Sequence, residues 1–231
     1  MWNNKKKAVT FSYDDGIVYD RRLVEIFNRY GMKCTFNLNS GIMSGASFWT
    51  DGGVEIHRMN AAGLPQLYKG HEIAVHCLTH ADLTQCDDET VYNEVMLDKS
   101  NLERMFGCKI EGMAYPYGTY SDRVVEILKK CGIKYARTTQ STCGAATPSN
   151  LLTLSAAMHH GDPRAFEYIE DFLALDPDKM TEPKMLYIWG HSYEFEVNQN
   201  WALIEEICRV LSGRDDIFYG TNSEVLRPFY D

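Results

Sequence analysis

Polar side chains with catalytic potential follow four separate apolar segments of the chain. The segments are residues 8–11, 72–75, 112–114 and 186–189, and the side chains after them are Asp14, Asp15, His76, His80, Tyr117 and His191. Each segment has the composition of a buried strand. If these strands are parallel, their carboxyl ends share one rim, and residues far apart in the sequence meet at one cavity.

His76 and His80 have a spacing that suits a metal ion. Two imidazoles four residues apart face the same way on one helical turn and can bind Zn²⁺ at about 2.0–2.1 Å. A carboxylate on the same rim would leave one position of a tetrahedral ion open for water, which is typical of catalytic sites. Cys77 follows His76, so this is not the His-Glu-x-x-His helix of zinc peptidases.

Each of these segments also has a purely structural interpretation. Asp15-Gly16 is a common turn pair, and aspartate often caps helices. The histidines at 76, 80 and 191 could bind backbone groups of their own loops. The choice between the two interpretations depends on whether the four segments converge.

The elements that must position these residues alternate between strand and helix. Apolar residues recur at helical spacing in residues 23–30, and amphipathic stretches cover 89–106, 122–130, 163–173 and 201–211. This alternation is typical of parallel strands joined by crossover helices. The 231 residues contain no linker or internal repeat, so we expect a single α/β domain, a distorted barrel of seven or eight parallel strands. An open doubly wound sheet is the alternative, although Gly-x-Gly-x-x-Gly does not occur.

Composition excludes several classes of partner. The net charge of −9 disfavours nucleic acid and anionic membranes. No segment approaches the roughly 20 apolar residues of a membrane helix, and the lysine-rich start precedes no apolar signal segment. We therefore expect a cytoplasmic protein. The seven scattered cysteines suit reduced thiols rather than disulfides or structural zinc.

Taken together and in order, four segments resemble motifs of the NodB-homology polysaccharide deacetylases, carbohydrate esterase family four. The matching segments are residues 12–16, 76–80, 116–118 and 186–191. The resemblance implies a distorted (β/α) barrel that removes acetyl groups from carbohydrates with one divalent metal, first of all Zn²⁺, with Co²⁺, Ni²⁺ and Mn²⁺ as alternatives.

The resemblance also implies a role for each residue of these segments. Asp14 would be the general base, and His191 the general acid. The backbone N–H of Tyr117 would stabilise the oxyanion. The implied metal ligands are Asp15, His76 and His80, and Leu186 would contribute an apolar wall for the acetyl methyl group.

Some family residues are missing from the sequence. Ala114 stands where the family commonly has an arginine directed at the base. Arg137, after the next predicted strand, could replace it or could form a surface salt bridge. The Asp-Trp segment that accompanies the acid is not evident, and Glu194 or Asp162 could orient His191 instead.

The sequence therefore predicts a metal-dependent hydrolase that removes N- or O-linked acetyl groups from a sugar or short glycan. Tyr115 and Trp189 lie near the predicted rim and could stack on sugar faces or fill the core. Two other functions remain open: a carbohydrate-binding module that has lost catalysis, and a metal-dependent amidase acting on a non-sugar amide. Neither the oligomeric state nor the role of residues 40–60 can be predicted.

Overall fold

A ring of parallel strands forms the centre of the computed structural model, which describes residues 1–230. The strands of this sheet are β1 Lys7–Asp14, β2 Cys34–Leu38, β5 Glu72–Val75, β6 Gly112–Ala114, β7 Tyr135–Ser141, β8 Leu154–Ala156, β9 Met158–His159, β10 Lys184–Gly190 and β11 Ile217–Tyr219. Eight of them are hydrogen-bonded to one another in the order β8, β7, β6, β5, β2, β1, β10, β9, and β11 pairs with the start of β1.

One extended segment closes this sheet into a barrel. Residues 154–156 pair with β7, and after Ala157 the same segment pairs with β10 as β9. The N–H of Ala157 donates to the carbonyl of Tyr187 (2.8 Å), so the segment is bonded on both sides where it changes partner. The predicted distorted barrel is confirmed, and the distortion lies at this change of partner.

Helices surround the barrel because each has one apolar face. Their bounds are α1 Asp20–Tyr30, α2 Leu64–Leu67, α3 Asp88–Phe106, α4 Asp122–Lys130, α5 Ala165–Ala174, α6 Tyr193–Val197, α7 Trp201–Leu211 and α8 Asn222–Leu226. In α1, Leu23, Ile26 and Phe27 are buried at helical spacing, and the helix ends at Gly31 in the left-handed conformation. These helices connect the parallel strands and leave the carboxyl rim free for loops.

An antiparallel hairpin is inserted between β2 and β5. Its strands are β3 Phe48–Asp51 and β4 Val54–His57, joined at Gly52-Gly53. The sequence analysis did not predict these strands, in which only Ile56 is buried, although Gly52-Gly53 is a two-residue hairpin turn pair. The hairpin lies beside the rim, so it becomes part of the site described below.

Within residues 1–230, none of the helices combines the length and the apolar composition that crossing a membrane requires.

Candidate metal and acid–base site

The residues singled out by the sequence converge at the carboxyl ends of the strands. They line a cavity of about 420 Å³, whose lining includes Asp14, Asp15, His76, His80, Tyr115, Tyr117, Trp189 and His191. A larger cavity of about 640 Å³, lined by α4 residues, the 148–153 loop and the last aromatic residues, contains none of these side chains. The smaller cavity is therefore where the chemistry of the chain is concentrated.

Asp15, His76 and His80 bring their donor atoms together from two loops. Oδ1 of Asp15 lies 3.6 Å from Nε2 of His80 and 4.0 Å from Nε2 of His76. All three ligand atoms lie within 4.8 Å of one another. Nδ1 of His76 is 2.8 Å from the carbonyl of Ala114. That contact places the proton on Nδ1 and leaves the Nε2 lone pair directed at the other two donors.

The charge state of these three side chains suits a cation. Burial lowers the pKa of His76. Burial and the neighbouring His76 together lower the pKa of His80 to about 4, so both imidazoles are neutral at pH 7. The neighbouring histidines and Arg58 outweigh burial and lower the pKa of Asp15. A carboxylate and two imidazole lone pairs facing one another fit a divalent metal.

The two histidines do not lie on a helical turn, which corrects the geometry expected from their spacing. Residues 76–80 form a loop in which Cys77 and His80 have φ angles of 65° and 61°. Asp15 and Tyr117 also have positive φ angles. Such backbone conformations are costly for residues other than glycine and are concentrated at functional sites.

Asp14 is held by a buried arginine. Arg137 is 1% exposed, and its Nη2 donates to both carboxylate oxygens of Asp14, at 2.6 Å for Oδ1. Asn37 donates to Oδ1 as well, at 2.7 Å. Burial alone would raise the pKa of Asp14, but Arg137, His76 and His191 outweigh it and lower the pKa to about 2. Arg137 is therefore buried behind the Asp14 carboxylate rather than in a surface salt bridge.

His191 is in contact with carboxylates on both sides of its ring. Nε2 lies 3.9 Å from an oxygen of Asp14 and 3.9 Å from one of Asp15, and Nδ1 lies 3.4 Å from Oε1 of Glu194. Burial lowers the pKa of His191, but Glu194, Asp14 and Asp15 outweigh it and raise the pKa to about 9. At pH 7 Asp14 is thus ionised and His191 protonated.

Three donors fix the other oxygen of Glu194. Oε2 accepts the backbone N–H of His191 at 3.0 Å and lies 3.0 Å from Nε2 of His159 and 3.2 Å from Nε2 of His160. These contacts leave Oε1 facing His191. Asp162, the other predicted partner, instead accepts the backbone N–H of Arg164. The prediction of Asp162 as orienting residue is therefore wrong.

His160 fits beside Gly190 only because glycine has no side chain. A Cβ at Gly190 would collide with the His160 ring. Nδ1 of His160 also lies 3.1 Å from the Tyr13 hydroxyl, and its ring stacks on Phe195 with centroids 4.1 Å apart. The imidazole is thus fixed on both of its faces and at both nitrogens.

A model of the polysaccharide deacetylase family matches residues 2–136, more than half of the chain. The chain belongs to the polysaccharide deacetylase family. Among curated proteins the search returned no match.

Solved structures share the fold of this family member. A Mycobacterium smegmatis protein assigned to the polysaccharide deacetylases superposes with a TM-score of 0.68 at 16% identity, covering 97% of this chain and 90% of its own. A family 4 carbohydrate esterase from Streptomyces lividans, in complex with acetate, gives 0.59 at 16% identity, covering 94% and 92%. The deacetylase PplD of Streptococcus pyogenes, also with acetate, gives 0.54 at 22% identity and 62% of this chain. This chain spans 61% of PplD, less than two thirds of it.

Leu186 does not line the site, contrary to the role that the family resemblance implied. Trp189 lines the cavity, and side chains of a strand alternate between its faces, so Leu186, three residues earlier, points to the opposite side of β10. It is fully buried in the core. Trp189 is the apolar residue of β10 in the cavity wall, and Arg137 lies against it with Cζ 4.5 Å from the ring centroid.

Tyr117 and Tyr115 both lie at the cavity of the family member but differ in exposure. The Tyr117 ring is 64% exposed and packs against His80. Over residues 1–230 the Tyr117 N–H makes no hydrogen bond to a backbone carbonyl of another loop or turn, and Tyr117 lines the cavity. Tyr115 is buried, and its hydroxyl donates to the carbonyl of Leu152.

Sequence reasoning missed several residues that hold the site together. Arg58 donates from Nη2 to Oδ1 of Asp15 at 3.0 Å and from Nη1 to the Asp15 carbonyl at 2.6 Å. Asn39 donates to the carbonyls of His76 and Cys77, and Asp98 accepts the His76 N–H. Their positions in unassigned loops or mid-helix carried no motif, and only burial of polar side chains reveals them.

Proposed function

We propose that this family member is a metal-dependent hydrolase that removes N- or O-linked acetyl groups from a carbohydrate. One observation carries the proposal: Asp14 and His191 lie 3.9 Å apart beside the Asp15, His76, His80 triad, and their surroundings move their pKa values in opposite directions. Two titratable groups whose surroundings push their pKa values apart are the arrangement that acid–base hydrolysis needs.

The donor set of the triad favours Zn²⁺, since two imidazoles and one carboxylate leave a coordination position open. A bound zinc ion would act as a Lewis acid toward the acetyl carbonyl and make water easier to deprotonate. Asp14 accepts the proton of the attacking water, and Arg137 keeps this carboxylate ionised and directed at the cavity. The N–H of Tyr117 donates to the developing oxyanion, as a backbone donor in an oxyanion hole does.

His191 completes the reaction by giving its proton to the leaving amine or alcohol. Glu194 stabilises the imidazolium, because its Oε1 lies 3.4 Å from Nδ1. The proposed roles of Asp14 and His191 thus require opposite protonation states at the same pH.

Chelation tests both the metal and the activity. We expect one zinc ion per chain and acetate release from acetylated sugars that is lost on chelation and restored by Zn²⁺. His80→Gln should weaken zinc binding by more than about 100-fold, because even residues behind the ligands contribute 10–100-fold. Metal analysis after dialysis and an acetate assay measure the two effects.

His57→Gln is the matched control, because His57 is an exposed histidine with a single carboxylate neighbour, Glu55. It should keep both zinc and activity. An unaltered chain that binds zinc but releases no acetate from N- or O-acetylated sugars would favour the non-catalytic binding module. Hydrolysis of non-sugar amides alone would favour the amidase.

The pH dependence of kcat/KM should be bell-shaped. Asp14 must be ionised, so activity falls only as the pH approaches its lowered pKa of about 2 or the triad histidines become protonated. His191 must be protonated, so activity falls tenfold per pH unit as the pH rises above its pKa. This pKa is at most about 9, because a bound metal ion would lower it. His191→Gln should remove the alkaline limb. A profile of the unaltered chain that stays flat up to pH 10.5 would contradict the role of His191.

A further inference from the structure

The β3–β4 hairpin is anchored at its base to the loop that carries the site aspartates. Ile17 and Arg58 form an antiparallel bridge, and the N–H of Met59 donates to the carbonyl of Gly16 at 2.9 Å. Arg58 itself binds Asp15. The hairpin therefore has a fixed position relative to the triad.

The hairpin is also anchored at its far end, on the opposite side of β1. The Trp49 ring meets Tyr193 edge-on, with centroids 5.5 Å apart. Gly52 lies against Val197 of α6 so closely that a Cβ would be 2.6 Å from Cγ1 of that valine. The hairpin thus extends from the β2 side of the rim to the helix that follows β10, and it forms a wall along one side of the site.

Trp49 is the residue of this wall that faces the cavity. It lines the cavity together with Tyr193 and Trp189, whereas Tyr115 and Tyr117 line it from the loop after β6. The guanidinium of Arg58 lies 5.2 Å from the Trp49 ring centroid and supports it from the metal side. The aromatic side chains surround a volume of about 420 Å³, which is the size of a small-ligand pocket.

We propose that the hairpin restricts this site to acetylated glycans of one or two sugar units, or to the end of a longer chain. Trp49 packs on the apolar face of the sugar beside the one that carries the acetyl group, because pyranose C–H faces suit aromatic rings. A polymer that extended across the rim on the side of β3 and β4 would collide with the hairpin. This proposal rests on the proposed function and specifies the size of its substrate.

Binding measurements test the proposal without depending on turnover. Zinc-loaded Asp14→Asn is titrated calorimetrically with N-acetylglucosamine oligomers and O-acetylated xylo-oligomers of one to six units. The affinity should rise up to two units and then stay constant within about twofold. Titration of the unaltered, zinc-loaded chain with the deacetylated oligomers supplies the same length series if the variant is unstable.

Two substitutions in β3 distinguish the contribution of the Trp49 side chain from a general disturbance of the hairpin. Trp49→Ala should weaken binding of the two-unit ligand roughly tenfold and let affinity increase further from two to six units. Phe48→Ala is the control, because Phe48 directly precedes Trp49 in the same strand, is 53% exposed and stacks on His57 away from the cavity. It should leave the length dependence unchanged.

Affinity of the unaltered pocket that continues to rise to six units would overturn the proposal, and so would a Trp49→Ala chain with the original length dependence. Absence of binding by every oligomer would overturn both this proposal and the carbohydrate substrate. A plateau at two units, together with no acetate release by the unaltered zinc-loaded chain, would support the wall and reject the proposed hydrolase.

Discussion

Asp14→Asn should lower kcat for acetate release by about 10²–10⁴-fold, the usual contribution of a general base, while one zinc ion stays bound. Asparagine has nearly the same shape, and its amide oxygen can still accept from Arg137, but it cannot take a proton from water. The ligand atoms belong to Asp15, His76 and His80, so the change leaves them in place. Steady-state acetate release and metal analysis on the same sample measure both quantities.

Asp162→Asn is the matched control for this substitution. Asp162 is an aspartate near the same rim that binds a backbone N–H and no catalytic candidate. Its replacement should leave kcat unchanged. Loss of zinc from Asp14→Asn, or a rate within threefold of the unaltered chain, would contradict the assignment of Asp14 as the base rather than a ligand.

Arg137→Met should destabilise the fold by about 3–5 kcal/mol, the usual cost of removing one partner from a buried ion pair. Asp14 is 3% exposed, and Arg137 donates to both of its oxygens. Methionine fills part of the space beside Trp189 but leaves the carboxylate without its cation. Denaturant unfolding at pH 7 measures the loss.

The pH dependence of stability identifies the cause of this loss. In the unaltered chain the pKa of Asp14 is lowered to about 2 from its ordinary 3.8. Its contribution is therefore complete above about pH 4 and lost as pH falls through 2. In Arg137→Met burial raises this pKa instead, so the deficit should shrink as the pH is lowered and Asp14 becomes protonated.

Arg137→Lys keeps the charge but not the planar guanidinium, and it should recover part of the stability. Arg164→Met is the control, because Arg164 and its partner Glu167 are more than half exposed, and exposed pairs contribute little. An Arg137→Met chain as stable as the Arg164→Met chain would contradict the buried ion pair as a source of stability.

The sequence predicted the barrel and the meeting of Asp14, Asp15, His76, His80 and His191 because both follow from strand order. Apolar segments alternated with amphipathic helices, and each candidate residue came directly after such a segment. In a parallel barrel that position alone brings a residue to the rim. No tertiary contact had to be known for that step.

Contacts between loops could not be predicted in this way. The β3–β4 strands are short and mostly exposed, so only the Gly52-Gly53 turn pair and the alternation in residues 54–57 indicate a hairpin there. The contact of Arg58 with Asp15 leaves no pattern in the sequence. The role implied for Leu186 is wrong because it follows from the motif position alone, whereas the side chains of a strand alternate between its two faces. The 76–80 segment was misjudged because spacing alone does not distinguish a helical turn from a loop with left-handed residues.

Gly190 shows how a residue without any functional group can determine where titratable side chains lie. Because Gly190 has no side chain, the His160 imidazole fits beside it, and Nε2 of His160 contacts the Glu194 carboxylate next to His191. A single methyl group at this position would push that imidazole outward and loosen His191 from behind, although it would touch neither zinc nor sugar. Under the proposed mechanism, proton transfer at the mouth of the barrel thus depends on the absence of a side chain one layer beneath it.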